Sequence, residues 1–191
     1  MAWKVMTYEL KSDCPMLSHN GQTADPLNKF AKAMKQVSGR RKKTDADYEE
    51  LARIEFLAAL YMGPNGPIIP AANLDSMIQG AARKSREGAS AKSGVFCAQD
   101  MQLVYNGPAT SDALWADESF RHVAIVRIGQ ARIPRTRPVF KEWSGTVALN
   151  VETSVVNPER LDDWMLVAGT QVGLGDWRPQ HGRFTAARLS G

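Results

Sequence analysis

Hydrophobic and polar residues alternate in several segments of this chain. Residues 3–10 are rich in aromatic and β-branched side chains, with Trp3, Val5 and Thr7 at every second position. This alternation predicts a β-strand, because successive side chains of a strand point to opposite faces. The clearest alternation is in 147–156, where Val147, Leu149 and Val151 are apolar. The same reasoning predicts further strands at 95–105 and 120–133, and a short last strand through Leu189.

Between these segments, apolar residues recur three and four positions apart, which is the spacing of a helix face. Thr44 can cap one helix, and Asn157 followed by Pro158 is typical of the start of another. The segment 89–94 consists of Ala, Ser, Lys and Gly and is expected to be a mobile surface loop. The predicted helices are 25–38, 45–61, 70–86 and 158–169.

The order of these elements predicts the fold class. A strand, helices, several antiparallel strands, a helix and a last strand form a βαββαβ order, with extra helices after the first strand. We therefore expect an α+β fold, with a ferredoxin-like (RNA-recognition-motif-like) antiparallel sheet. The chain is expected to be a single domain over 1–191, with a helical insertion at about 20–66.

Charge and cysteine content narrow the functional classes. With 24 Lys and Arg against 20 Asp and Glu, the net charge of +4 favours a polyanionic partner. The acids are concentrated in 45–55, 112–118 and 159–163, which predicts faces of opposite sign. Cys14 and Cys97 lack the spacing of a metal site, so no metal or cofactor is predicted. No signal peptide or long apolar run is present, which predicts a cytoplasmic protein without a membrane partner.

Several basic clusters and two tryptophans are candidates for nucleic-acid contacts. Guanidinium groups bind phosphate through two parallel hydrogen bonds, and aromatic rings stack on bases. A glycine-rich segment, 173–184, follows the last predicted helix, and its backbone amides could bind an anion through Gly173, Gly175 and Gly182. The candidate nucleic-acid contacts are Arg40, Arg41, Lys42, Lys43, Arg83, Arg86, Arg132, Arg135, Arg137, Trp143, Trp177, Arg178 and Arg183.

Three segments together resemble the RAMP superfamily, the RNA-recognition-motif-like proteins that include backbone and RNA-processing subunits of CRISPR effector complexes. The first is the N-terminal strand with the polar loop 15–20, and the second is the phrase 66–74 followed by a helix with Ala81-Ala82-Arg83. The third is the glycine-rich segment 173–184. The resemblance implies a scaffold that binds RNA or another single strand and often polymerises along it.

The predicted function is non-catalytic binding of single-stranded RNA or DNA through a basic groove. The protein is expected to act as an oligomer or as a component of a ribonucleoprotein. One alternative is a metal-independent endoribonuclease, which the resemblance to RNA-processing members suggests, with His19 as the base and Lys29 or Arg83 as a charge stabiliser. A further alternative is a structural or inhibitory protein that binds acidic protein surfaces. The sequence does not distinguish RNA from DNA, because that choice depends on contacts to the 2′-hydroxyl.

Overall fold

A computed structural model describes residues 3–191 of the chain and contains ten β-strands. Four of the strands form a central antiparallel sheet, and the others form two smaller sheets of three strands each. The strands are β1 (Trp3–Ser12), β2 (Met16–Leu17), β3 (Met62–Gly63), β4 (Gly66–Ile69), β5 (Val95–Cys97), β6 (Met101–Gln102), β7 (Arg121–Ile128), β8 (Ala131–Phe140), β9 (Ser144–Glu152) and β10 (Phe184–Ser190).

Six α-helices connect and cover these strands. Asn28 caps the first helix, which begins later than Asp25 because residues 21–24 form a separate 3-10 turn. Thr44 and Asp47 form a reciprocal capping box at the second helix, as the position of Thr44 suggested. The helices are α1 (Lys29–Ser38), α2 (Asp45–Ala59), α3 (Ala71–Lys84), α4 (Gly88–Gly94), α5 (Ser111–Ala116) and α6 (Pro158–Val167).

The central sheet has the strand order β10-β1-β9-β5, and every neighbouring pair is antiparallel. Along the chain, α3 lies between β1 and β5, and α6 lies between β9 and β10. On one face of β1, the side chains of Met6, Tyr8 and Leu10 are buried. The fold is thus α+β, and its central sheet follows the strand and helix order expected from the sequence.

The segment 89–94 was expected to be a mobile loop and is instead the short helix α4. Ala91 and Gly94 are buried, and a side chain at Gly94 would meet Val155 and Val156. Small residues are thus needed for this close contact, and packing compensates for the poor helix propensity of Gly and Ser. The segment 95–105 also differs from its prediction, because only β5 and β6 within it are strands.

Strands β7 and β8 form a long β-hairpin. They belong to one of the small sheets, in which β8 lies between β2 and β7. The predicted strand 120–133 ends at Ile128, and the chain turns back through Gly129, whose φ is 59°. The arginine-rich residues that follow belong to β8, where Ile125 pairs with Pro134. Arg135 and Arg137 are therefore two positions apart on one strand and share a face.

The hydrophobic core lies between the central sheet and the helices. Trp164 of α6, Phe56 of α2 and Phe140 of β8 are among its largest fully buried side chains. Each such side chain stabilises the folded state by about 1.5–3 kcal/mol through removal of apolar surface from water. Within residues 3–191, no helix is both long enough and apolar enough to cross a lipid bilayer.

Candidate nucleic-acid interface

The glycine-rich segment 173–184 is held against the loop that follows β1 by backbone hydrogen bonds. The Gly182 amide donates to the Pro15 carbonyl at 2.9 Å, and the Asp176 amide donates to the Leu17 carbonyl at 2.8 Å. In the opposite direction, the Asp13 amide donates to the Arg183 carbonyl at 2.9 Å. Two segments about 160 residues apart in sequence therefore form one surface.

Two of the three glycines proposed to bind an anion, Gly173 and Gly182, use their amides in this packing instead. Gly173, Gly175 and Gly182 all have positive φ, between 76° and 81°. A Cβ at Gly182 would overlap the Leu174 carbonyl, so the backbones could not approach as closely. The amides of Gly173 and Gly182 already donate to the carbonyls of Ala168 and Pro15. The expectation of a backbone anion loop at these glycines is thus corrected for two of them.

Two adjoining cavities lie beside this packed loop and share His19 in their walls. The first, of about 260 Å³, is bounded by the β2 segment, the start of α3 and Arg178. The second, of about 360 Å³, is bounded by α2, the β7–β8 hairpin and Trp177. We call the two cavities together the cleft. Among the predicted contacts, Gly175, Arg135, Arg137, Trp177 and Arg178 line it.

The three arginines of the cleft differ in their partners. Arg135 forms an ion pair with Glu55, whose second oxygen accepts the Thr136 amide at 3.1 Å. The Arg137 Nε lies 3.3 Å from an Asp176 oxygen. Arg178 forms no ion pair within residues 3–191 and is exposed. The three guanidinium groups face two carboxylates, so these five groups carry one net positive charge.

Trp177 presents its indole ring at the edge of the cleft. It has a positive φ of 52° and is 37% exposed. The rings of His122 and Trp177 meet edge to face, with centroids 5.6 Å apart. His181 lies 6.1 Å from the indole and 5.7 Å from His122. Two imidazoles thus hold the indole from one side, while the remaining exposed surface is open to a ligand.

His19 has an altered proton affinity. The residue is exposed at the surface, but the surrounding cleft partly desolvates its imidazole. Desolvation by burial lowers its pKa most, and the positive charges of Arg137 and Arg135 lower it further. Asp176 opposes these effects. Its Tyr61 neighbour donates a hydrogen bond to the His19 carbonyl at 3.3 Å, which fixes the backbone. The lowered pKa favours the neutral imidazole, which can accept a proton.

Trp143 was expected to stack on bases, and the structure corrects this expectation. Its side chain is only 3% exposed, and its indole N–H donates to the Cys14 carbonyl at 3.3 Å. The ring also packs edge to face against Phe184, with centroids 6.0 Å apart. Trp143 is thus a core residue. Its position after a run of basic residues in the sequence did not mean that its ring is exposed to solvent.

The other predicted cations do not line the cleft. Arg40 pairs with Asp47 and with Glu50, at 3.1 Å from the latter, so its charge is compensated. Arg83 and Arg86 lie at or just beyond the end of α3, whereas Asn73 near its start lines the cleft. Ten residues of helix separate Asn73 from Arg83, about 15 Å. The remaining members lie outside the cleft: Arg41, Lys42, Arg132 and Arg183 are exposed, and Lys43 is half-buried.

Sequence reasoning missed the acidic and neutral residues of the cleft. Glu55 lies on α2, where its position in the helix pattern gives no sign that it faces an arginine 80 residues away. Asp176 directly precedes Trp177, and this proximity was an available signal. Asn73 and Ser76 line the first cavity from α3. Within residues 3–191, no three His, Cys, Asp or Glu side chains are grouped as metal ligands would be.

The similarities found between this chain and known proteins are similarities of structure. No protein-family model and no curated protein matches it. A chain of Type III-B Cmr-beta bound to cognate target RNA is similar to it, with a TM-score of 0.49 and 11% identity. That similarity covers 98% of this chain and 61% of the other, so this chain spans less than two thirds of that protein.

A second similar structure is that of Cmr6 from Pyrococcus furiosus. Its TM-score is 0.38 and its identity 11%, over 98% of this chain and all of the other. With TM-scores below 0.5 and identities of 11%, neither similarity assigns this chain to a family or a role to any of its residues.

Proposed function

We propose that this protein binds single-stranded nucleic acid in the cleft without cleaving it. The observation that carries the proposal is the convergence of Arg135, Arg137, Arg178 and Trp177 on two adjoining cavities. These residues come from a hairpin and from a loop that are far apart in sequence. Their meeting provides both interactions that a single strand requires, namely cations for phosphates and an aromatic ring for a base.

The ion pairs within the cleft define how a phosphate would bind. Within residues 3–191 Arg178 has no carboxylate partner, so its guanidinium is available to a phosphate. Arg137 is paired with Asp176, which orients its guanidinium. A phosphate that binds Arg137 must therefore compete with the Asp176 carboxylate. Each phosphate neutralised by an arginine releases condensed counterions, so binding weakens as salt rises. With only three arginines, we expect a shallow salt dependence.

A strand bound in this way would belong to a larger assembly. The protein would act as an oligomer along the strand or as one component of a ribonucleoprotein, and exposed apolar side chains outside the cleft support such contacts. Trp3 and Phe96 form one such pair, edge to face with centroids 5.3 Å apart. They lie on the face of the central sheet opposite to Met6 and Leu10, and both are exposed.

A second candidate function is metal-independent cleavage of RNA, and one observation favours it. His19 has a lowered pKa and lies in the same cleft as Arg137 and Arg178. A neutral imidazole can accept the proton of a ribose 2′-hydroxyl, and a guanidinium can stabilise the charge that develops on the phosphate. Neither Lys29 nor Arg83 lines the cleft, so an arginine of the cleft would take the stabilising role.

Fluorescence anisotropy with labelled oligonucleotides tests the proposal. We expect the protein to bind single-stranded RNA or DNA more tightly than a duplex of the same sequence, with an affinity that falls as salt rises. RNA is tested beside DNA because one similar structure is of a protein bound to target RNA. Absence of binding at about micromolar protein and low salt would refute the proposal and favour a partner with an acidic protein surface.

Incubation of labelled RNA with the protein in EDTA separates binding from cleavage. If the protein only binds, the RNA remains intact over hours. Specific cleavage that is lost on His19→Gln substitution would identify the protein as a nuclease. The control is Lys4→Gln, because Lys4 lies on β1 and lines neither cavity of the cleft.

A further inference from the structure

A third cavity, larger and more apolar, lies on the far side of the Glu55–Arg135 ion pair. Its volume is about 510 Å³, and α1, α2 and the β7–β8 hairpin form its walls. The proposed strand-binding role of the cleft does not involve this cavity. Most of its lining is apolar, from Met34, Tyr48, Leu51, Ala52, Val123, Ile133 and Pro134.

Two of these apolar side chains are largely exposed to solvent. Tyr48 is 56% exposed and Val123 is 60% exposed, although both line a concave surface. The polar groups of the wall are mainly satisfied by one another: Glu55 accepts from Arg135 and from the Thr136 amide. The cavity therefore offers apolar surface and one exposed aromatic ring, and it fits a flat, largely apolar group.

The cavity adjoins the cleft. Met34, Glu55 and Arg135 line both the 360 Å³ part of the cleft and the apolar cavity. Arg135 thus stands at the junction, with its guanidinium held by Glu55. A phosphate placed at this arginine would have the cleft on one side and the apolar cavity on the other.

A second group of cations follows, in sequence, the end of the helix that lines the cavity. Ser38 lines the cavity at the end of α1, and Arg41 and Lys42 follow within four residues. Both are exposed and form no ion pair within residues 3–191. From Met34 to Ser38 the helix rises by about 6 Å. A strand with phosphates at Arg135 and at this second group would therefore pass directly over the cavity.

We propose that the apolar cavity receives an unstacked base of the strand bound in the cleft, with Tyr48 as the stacking ring. This proposal rests on the proposed function, because it needs a strand in the cleft. It also assigns a role to the predicted cations after α1, which the cleft itself does not use. Tyr48 and Trp177 then hold different bases of the same strand.

A double-mutant cycle between Tyr48 and the bases tests the assignment. Wild-type protein and Tyr48→Ala are titrated with oligouridine of about eight nucleotides and with an abasic ribose-phosphate strand of the same length. We expect Tyr48→Ala to weaken binding of oligouridine about tenfold and to leave the abasic strand unchanged. Val123→Asn, which makes the opposite wall polar, should show the same pattern. Leu166→Ala, an exposed apolar residue of α6, is the control and should change neither affinity.

The outcomes separate this proposal from the one it rests on. Salt-dependent binding of both strands with no effect of Tyr48→Ala would overturn the base pocket and leave the cleft intact. Failure of the wild-type protein to bind oligouridine would overturn both. Equal losses for the two strands would show that Tyr48 acts on the backbone or on folding, and would also overturn the pocket. Circular dichroism of each variant excludes an unfolded sample.

Discussion

The unpaired arginine of the cleft gives the sharpest test of the proposed function. Arg178 forms no ion pair within the described residues and is exposed, so Arg178→Gln removes one cation and leaves no carboxylate without a partner. Single-stranded ligands give a salt slope of about −0.7 per neutralised phosphate, so for a strand short enough to contact no cation outside the cleft, the three arginines predict a slope of about −2. The variant should have a slope of about −1.4.

These slopes translate into measurable affinities. Between about 50 and 200 mM KCl, the wild-type affinity for a labelled oligouridine should fall about 18-fold, and that of Arg178→Gln about sevenfold. At the lower salt the variant should bind about fivefold more weakly, which corresponds to about 1 kcal/mol for one exposed charged contact. Fluorescence anisotropy measures both quantities in one series of titrations.

Two further variants make this test interpretable. Lys4→Gln removes one positive charge outside the cleft. Lys4 lies near the start of β1, about 26 Å along the strand from its last residue, Ser12. This variant should change neither the salt slope nor the affinity for the strand. Arg137→Gln removes a cation but also leaves Asp176 without its ion-pair partner, so it should lower stability as well as affinity. If Arg178→Gln and Lys4→Gln have the same effect, the cleft does not bind the phosphates.

Three other predictions concern the loop and the cleft. Trp177→Ala should weaken oligouridine binding by about 1–3 kcal/mol in anisotropy titrations, whereas Trp3→Ala should not; equal losses would contradict a specific stacking role. Gly182→Ala should lower the free energy of unfolding in urea by more than about 2 kcal/mol, because of its positive φ and the overlap with a carbonyl. At Gly21 an added Cβ would meet no other atom within 4 Å, so Gly21→Ala should leave the free energy of unfolding nearly unchanged. Similar losses in both variants would disprove the packing argument. The pKa of His19 is lower in the folded protein than in the unfolded chain, so the unfolded chain binds a proton at His19 more tightly. The free energy of unfolding should therefore be highest above about pH 6.5 and decrease as the pH falls below this value. Urea unfolding at about pH 7.5 and pH 5.5 should show a smaller decrease in His19→Gln, and an unchanged decrease would refute this assignment.

Local signals in the sequence predicted those elements whose ends are chemically marked. The Asn157-Pro158 pair begins α6, and the Asn157 side chain accepts the Glu159 amide at 3.0 Å. Thr44 begins α2 in the same way. Such caps act within a few residues, so they can be recognised without knowledge of the rest of the chain.

Elements that depend on distant contacts were not predictable from local patterns. Helix α4 forms because Ala91 is buried and Gly94 lies against Val155 and Val156. Strand β8 contains Pro134 and Pro138 and pairs with β7 despite them. Proline cannot donate a ladder hydrogen bond, and the local pattern predicted no strand beyond residue 133.

The candidate site was predicted only in part, for a related reason. The basic and aromatic residues were visible as clusters, but the sequence did not reveal which clusters would meet. Arg137 and Arg178 line the cleft, whereas Arg83 lies about 15 Å along α3 from Asn73, which lines it. Burial of Trp143 results from its contacts with Cys14 and Phe184, which no local pattern encodes.

The hydrogen bonds between 13–17 and 176–183 also constrain the order of events during synthesis. The first of these segments leaves the ribosome long before the second, and until then the Pro15 and Leu17 carbonyls have no partner from it. The cleft can therefore mature only after residue 183 has emerged. Contacts so distant in sequence slow folding, and nascent chains should acquire affinity for a strand in one late step.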